Sequence, residues 1–163
     1  MKTLILLRHA KSSWKFPELA DRDRPLTKRG ERDAPRMARW LKKQEIIPQR
    51  ILTSTAVRAC ATAEAIAEKI KYKEEIVYLE SLYMAEPAAI IEALHSVPDD
   101  VKRVLVVGHN PGLEGLVQII SKKVVSLPTA SIAVIKLPIE TWGELNFGVE
   151  GKHVQIVRPR DLK

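Results

Sequence analysis

The stretch Met1-Lys2-Thr3-Leu4-Ile5-Leu6-Leu7-Arg8-His9-Ala10 decides the fold of this chain. Leu4–Leu7 is a short apolar run bounded by polar residues and reads as a buried strand. The run stops at the adjacent pair Arg8-His9. In α/β proteins ligands bind in the crevice beyond the carboxyl ends of strands, so the pair stands at the tip of a rigid element. Arginine keeps its charge, and its planar fork matches a phosphoryl or carboxylate group. Histidine beside it offers a nucleophilic or proton-transferring nitrogen near neutral pH.

The arrangement recurs. Arg103-Val104-Leu105-Val106-Val107-Gly108-His109-Asn110-Pro111-Gly112 is a second apolar run ending at a histidine, now flanked by glycine. Between the two, Ile51–Thr53 reads as another strand, followed by hydroxyl residues and then Arg58 at the opening of a helix. Three strand ends thus deliver Arg8, His9, Arg58 and His109 toward one point. That set suits a dianionic phosphoryl group, with positive charge for its oxygens and one imidazole free to attack.

Around these anchors the chain alternates strands and helices. Ala10–Pro25 is polar and irregular, the length of a functional loop. Within it Trp14 either lines the mouth of the site or pins the loop to the core. Thr27 is placed to cap a helix reaching Lys43, which Pro35 should kink or restart. Thr55 is placed to cap an alanine-rich helix through Lys69, and Ile76–Leu79 reads as a strand. Glu86-Pro87 opens a helix to about His95, with proline at the first helical position. Val104–Val107 is a strand and Pro111–Ser121 a helix. Ile132–Leu137, Glu144–Val149 and His153–Val157 read as consecutive strands, antiparallel at one end of the sheet. The pattern predicts an α/β fold, a three-layer α/β/α sandwich with a mostly parallel central sheet. The length predicts one domain over residues 1–163.

Leu7-Arg8-His9-Ala10-Lys11-Ser12, Arg24-Pro25-Leu26-Thr27 with Gly30, Ser54 to Arg58, and Gly108 to Gly112 come in that order. Together they resemble the histidine phosphatase (phosphoglycerate-mutase-like) superfamily. The short chain, and the wording of Arg8–Trp14 and Arg24–Thr27, look most like its SixA-type phosphohistidine phosphatases. The likeness runs from Met1 to about Ser131. The wider family often has glycine after the first histidine; Ala10 stands there. The resemblance implies the phosphoglycerate-mutase-like fold and a phosphohistidine intermediate on His9. It also implies a substrate: phosphohistidine in a phosphorelay protein or a sugar-uptake carrier protein.

His9 is the expected nucleophile, and it must be unprotonated on the attacking nitrogen. Arg8 and Arg58 nearby disfavour a second positive charge on it. Both arginines are expected to clamp the phosphoryl oxygens. His109 is expected to donate a hydrogen bond to one of those oxygens. Gly108 and Gly112 should permit close backbone approach to the ligand, and the helix after Pro111 should offer N–H groups to an anion. Lys11, Ser12 and Asn110 are further candidate substrate contacts, each equally readable as solvent-facing. Arg22, Asp23 and Arg24 read as partners in ion pairs within the loop. In mutase-like relatives a carboxylate after the third strand serves as general acid or base. Glu80, directly after Ile76–Leu79, is the candidate here, with Glu86, Asp21 and Asp23 as rivals. An imidazole leaving group needs less help from an acid than an alkoxide does.

Other chemistries fail on spacing. Asp21-Arg22-Asp23 follows no apolar strand, as an aspartyl nucleophile would require. Cys60 has Ile66, not arginine, six residues on, and reads as a packed small residue. Gly108–Gly115 lacks the Gly-Lys-Ser/Thr of a nucleotide loop. His95 and His153 stand without metal-ligand spacing. No metal and no organic cofactor are expected.

A single cysteine excludes an internal disulfide. No apolar run reaches the length of a membrane span, and Arg8 interrupts the signal-like start, so a cytoplasmic protein without membrane contact is expected. The net charge of +7 favours anionic partners, a phosphorylated protein or a small phosphorylated substrate. Aromatic content of 5% argues against stacking on nucleic acid. Mutases need insertions that enclose a second phosphate, and Ser81–Asp100 is filled by one helix. The leading expectation is a metal-independent phosphatase acting on phosphohistidine in a protein. The alternatives are a phosphatase of a small phosphomonoester, and a non-catalytic binding module for phosphorylated or anionic partners.

Overall fold

Strand β1 (Lys2–Arg8) runs near the middle of the sheet and divides the core in two. Leu4 and Leu6 face one side while Ile5 and Leu7 face the other, as side-chain alternation in a strand requires. All four are fully buried, and each such side chain contributes about 1.5–3 kcal/mol to folding. Burial on both faces is why the run is continuously apolar rather than alternating. The computed structural model describes residues 1–162.

After β1 come α1 (Lys28–Lys43), β2 (Arg50–Thr53), α2 (Val57–Ile70), β3 (Val77–Tyr78) and α3 (Pro87–His95). Then follow β4 (Arg103–Gly108), α4 (Gly112–Ser121), β5 (Ile132–Leu137) and β6 (Lys152–Val157). The sheet order is β3-β2-β4-β1-β5-β6. The first four strands are parallel, β5 is antiparallel to β1, and β6 is antiparallel to β5. Helices α1 and α2 cover the Ile5 and Leu7 face through Met37, Leu41 and Ile66. Helices α3 and α4 cover the other through Leu94, Leu116 and Ile120, with Trp142 beside them. The mostly parallel three-layer sandwich is the architecture expected from the strand and helix alternation. Among the described residues, no helix is long and apolar enough to cross a membrane.

Three local expectations are corrected. Glu144–Val149 is not a strand. The Glu144 carboxylate accepts from the backbone N–H groups of Glu140 and Thr141 at 2.7 Å, and Asn146 Oδ1 accepts from Gly148 N–H. These side-chain bonds close turns that compete with a ladder. Thr55 does not cap α2: the N-cap is Ala56, and the Thr55 hydroxyl bonds Glu80 instead. Helix α1 runs through Pro35 without a restart. Proline removes the donor to the Glu31 carbonyl, and Glu31 is exposed, so water can replace it. At its start, Thr27 accepts a hydrogen bond from Gly30 N–H at 3.1 Å, as expected of a cap.

Candidate active site

Sheet register builds the site. Arg8 of β1 pairs with Gly108 of β4, and Thr53 of β2 pairs with Val107. The ladder continues one step past each strand: His9 N–H donates to Gly108 C=O, and Ser54 N–H to Val107 C=O, both at 3.1 Å. Three neighbouring parallel strands therefore end level, and His9, His109 and Ser54 emerge side by side. Helix α2 begins three residues after Ser54 and supplies Arg58 from its first turn.

These residues meet in one cavity of about 250 Å³. Its walls carry Arg8, His9, Arg58, His109, Lys11, Ser12 and Asn110, seven of the residues singled out from the sequence. Trp14, Asp21, Arg24, Met84 and Thr129 complete them. The His9 and His109 rings stand 5.2 Å apart between centroids, tilted by 51°.

The tautomer of His9 follows from its partners. Nδ1 lies 2.8 Å from the Ala10 carbonyl, which can only accept, so Nδ1 carries the proton. Nε2 is left with its lone pair, and Arg58 Nε–H donates to it at 3.3 Å. Burial is the main force holding the His9 pKa down at about 3; the charges of Arg58 and Arg8, and of His109 once it is protonated, add to it. At neutral pH His9 is a neutral imidazole with Nε2 aimed into the cavity.

His109 is fixed in the opposite sense. Ser54 Oγ accepts from Ala56 N–H at 3.3 Å and lies 2.6 Å from His109 Nε2. Among the described residues the Ser54 hydroxyl proton has no acceptor other than Nε2, so the hydroxyl donates there, which places the His109 proton on Nδ1. That Nδ1 is buried and has no partner among the described residues. It is therefore a donor reserved for an acceptor that enters the cavity. Burial, and then Arg58, hold the His109 pKa at about 4.

The cations are set differently. Arg8 Nη1 donates to Leu127 C=O at 3.2 Å, while its buried Nε has no partner among the described residues. Burial pulls its pKa below the ordinary guanidinium value. Arg58 is only 2% exposed. Its Nη1 donates to the Asp21 carbonyl at 2.7 Å and its Nη2 to Asp21 Oδ2 at 2.9 Å. Asp21 also accepts from Tyr83 OH, and at Oδ1 from Arg24 Nε at 3.2 Å. The Tyr83 and Arg58 contacts hold the Asp21 pKa at about 2. Asp21 thus ties the Ala10–Pro25 loop to the clamp.

Of the lesser candidates, Ser12 is buried and its Oγ accepts from Arg24 Nη1 at 2.9 Å, so it supports the loop. Asn110 donates through Nδ2 to Leu127 C=O at 2.9 Å, and its buried Oδ1 has no partner among the described residues. Lys11 is exposed at the rim. Of the ion pairs expected within the loop, Arg24 forms one with Asp21; Arg22 pairs instead with Glu80 outside the loop, and Asp23 forms none among the described residues.

Glu80 is not brought into the cavity. Its exposed carboxylate accepts from Arg22 and from the Thr55 hydroxyl, and these contacts draw it to the surface. The glycines also act otherwise than expected. A Cβ on Gly112 would lie 1.9 Å from the Ala85 carbonyl oxygen, so this glycine permits close packing of backbone on backbone. A Cβ on Gly108 would meet Leu113 at an ordinary 3.6 Å. Helix α4 contributes to the cavity wall only through the preceding Asn110.

Sequence reading assigned no role to Ser54, Tyr83 or Thr62. Thr62 Oγ1 accepts from Ala10 N–H at 3.0 Å and locks the backbone after His9. These links join residues 37 to 62 positions apart, and no local pattern announces them.

The sequence profile of the histidine phosphatase superfamily (branch 1) matches residues 4–83. An uncharacterised chloroplastic protein of Arabidopsis thaliana is 33% identical over 160 residues, covering 92% of this chain and 72% of that one. Among solved structures, a protein assigned as the phosphohistidine phosphatase SixA of Nakamurella multipartitia is 26% identical, with a TM-score of 0.80. It aligns over 94% of this chain and 95% of its own. The protein histidine phosphatase SixA complexed with tungstate shares the fold at a TM-score of 0.83 and 24% identity, over 99% of each chain. With the matched profile and these likenesses, the chain belongs to the histidine phosphatase superfamily, among its SixA-type members, and is a hydrolase of the phosphatase class.

Proposed function

We propose that this protein removes the phosphoryl group from phosphohistidine in another protein, a phosphorelay or carrier protein, through a phosphohistidine intermediate on His9. The observation that carries the reading is a buried His9, its Nδ1 tied to the Ala10 carbonyl, in a cavity whose one carboxylate among the described residues, Asp21, is held by Arg58, Arg24 and Tyr83. Those contacts hold the Asp21 pKa at about 2 and keep it ionised at neutral pH. An alkyl phosphate expels an alkoxide and requires an acid to protonate it. A phosphohistidine protonated on its other ring nitrogen expels a neutral imidazole and requires none.

In the first step His9 Nε2 donates its lone pair to phosphorus as the bond to the substrate nitrogen breaks, and the departing imidazole keeps that electron pair. Arg8, Arg58 and the His109 Nδ1–H receive charge on the three equatorial oxygens. In the second step water attacks phosphorus, the bond to His9 Nε2 breaks with its electron pair returning to that nitrogen, and the water oxygen and both its protons leave in inorganic phosphate. The cations that steady the phosphoryl group are the two arginines, and their charge repels a metal ion from the same place. Metal-independent turnover is the reading this supports.

The test is phosphate release from a histidine-phosphorylated protein and from an aryl phosphate, both with EDTA present. Turnover that survives EDTA, favours the phosphoprotein and is lost in His9→Ala supports the reading. Preference for the aryl ester, or turnover that persists in His9→Ala, contradicts it.

A further inference from the structure

Trp14 is the largest apolar side chain at the mouth of the cavity, and it is 73% exposed. Exposure of this extent on an indole carries a hydration cost, and a folded loop usually turns such a residue inward. Here the outward position is built. The Arg24 guanidinium lies 3.5 Å from the centroid of the Trp14 ring, a stacked cation–π contact. Arg24 is itself only 8% exposed and is held by Asp21 Oδ1, Ser12 Oγ and the Ser13 carbonyl. One face of the indole is therefore fixed on a buried support anchored at three points, and its other surface faces solvent beside the phosphate pocket.

A second apolar group meets the mouth from a different loop. Met84 lines the same cavity, is 49% exposed and holds a left-handed backbone with φ of 49°. The neighbouring Tyr83 bonds Asp21 and sets its ring edge-on against His109, 5.5 Å between centroids. The two loops are thus tied together beneath Trp14 and Met84. The result is a cationic floor with an apolar collar. A sugar phosphate or free phosphoserine would bring hydroxyl, amino or carboxylate groups against that collar, where Trp14 and Met84 offer them little. A phosphohistidine brings an imidazole ring and the protein surface around it.

We propose that Trp14 and Met84 form a docking collar for the phosphorylated protein, with the substrate imidazole lying against the exposed surface of the Trp14 indole. The proposal rests on the phosphohistidine reading above. A rigid aromatic at the centre of a contact loses little entropy on binding and concentrates affinity. The collar acts on binding of the protein and leaves the chemistry at His9 untouched.

The test compares a histidine-phosphorylated carrier protein, phosphoramidate and an aryl phosphate as substrates of the wild type, Trp14→Ala, Trp14→Phe and Met84→Ala. Trp14→Ala should raise KM for the phosphoprotein about tenfold or more, with its turnover of phosphoramidate unchanged. Met84→Ala should act in the same direction and less strongly, and Trp14→Phe should restore most of the affinity. An equal loss on phosphoramidate would show that Trp14 only seats Arg24 and its loop, and would overturn the collar. An equal loss on the aryl ester would show a pocket for small aromatic groups, and would overturn it as well. No change on the phosphoprotein does the same. Wild-type enzyme that turns over phosphoramidate and ignores the phosphoprotein would instead remove the functional reading beneath it.

Discussion

Arg58 aims Nε–H at the lone pair of His9 Nε2 from 3.3 Å, while its two terminal nitrogens bind Asp21. One side chain thereby marks the position of the attacking nitrogen and anchors the active-site loop. Lysine has a single ammonium and cannot do both. Arg58→Lys should lower kcat/KM by about a hundredfold or more, and thermal melting should show a folded protein. Wild-type activity in this variant would remove Arg58 from the clamp.

Both pocket histidines must be neutral in the resting enzyme. With pKa values of about 4 for His109 and about 3 for His9, kcat/KM should show no enzyme-side acid limb between pH 5 and 8. It should fall below pH 4, as His109 gains a proton first and His9 second. A pH–rate profile on a substrate that does not titrate in this range checks it. An enzyme-side inflection near 6.5 would place an ordinary, solvated histidine in the mechanism.

The same shifts govern stability. In the unfolded chain these histidines titrate near 6.5, whereas the folded chain resists protonating them until pH is far lower. The unfolded state therefore binds more protons between those limits, and stability falls as pH falls. Each histidine costs about 1.4 kcal/mol per pH unit within that window. Above 6.5 the contribution is complete and flat. Urea melts at pH 7 and pH 5 should show the loss, and His109→Asn should reduce its slope.

Ser54→Ala removes the hydroxyl that fixes the His109 tautomer and leaves Nε2 buried without a partner. The His109 proton is then free to sit on Nε2, away from the phosphoryl group. Activity should fall about tenfold to a hundredfold, the range for losing a side chain that orients a reactive imidazole. The nitrogen-15 shifts of His109 should change at the same time. Unchanged shifts together with lost activity would contradict the tautomer argument.

Gly30 is a purely steric position. A Cβ there would lie 2.2 Å from the Lys11 carbonyl oxygen, which also accepts from Thr27 N–H. Gly30→Ala should therefore separate helix α1 from the loop that follows His9. The destabilisation should be about 1–3 kcal/mol or more, as for other overpacked sites, measured by denaturant melts.

Much of this arrangement is legible in the sequence because it is local. Arg8-His9 and Gly108-His109 each end an apolar run, and adjacent parallel strands bring such ends together whatever the loops do. Arg58 is readable for the same reason, one helical turn beyond a strand end. Glu80 shows where this reasoning stops. Its position after a strand suggests catalysis, but a competing pair, Arg22 and Thr55, captures the carboxylate outside the cavity. Leu145, Phe147 and Val149 alternate like a strand, yet the carboxylate of Glu144 and the amide of Asn146 bond backbone groups nearby and hold a turn. The contacts of Asp21 with Arg58 and of Ser54 with His109 depend on how distant segments pack. They become visible only in three dimensions.

The central claim is a phosphoryl group carried on His9 Nε2. Rapid acid-free quenching of the enzyme with a histidine-phosphorylated protein, followed by phosphorus-31 NMR and peptide mapping, tests it directly. An acid-labile, base-stable phosphate at Nε2 of His9, formed and lost within one turnover and absent in His9→Ala, is the predicted result. Full turnover with no phosphoenzyme at His9 under single-turnover conditions, or phosphate found on His109 instead, would contradict the account.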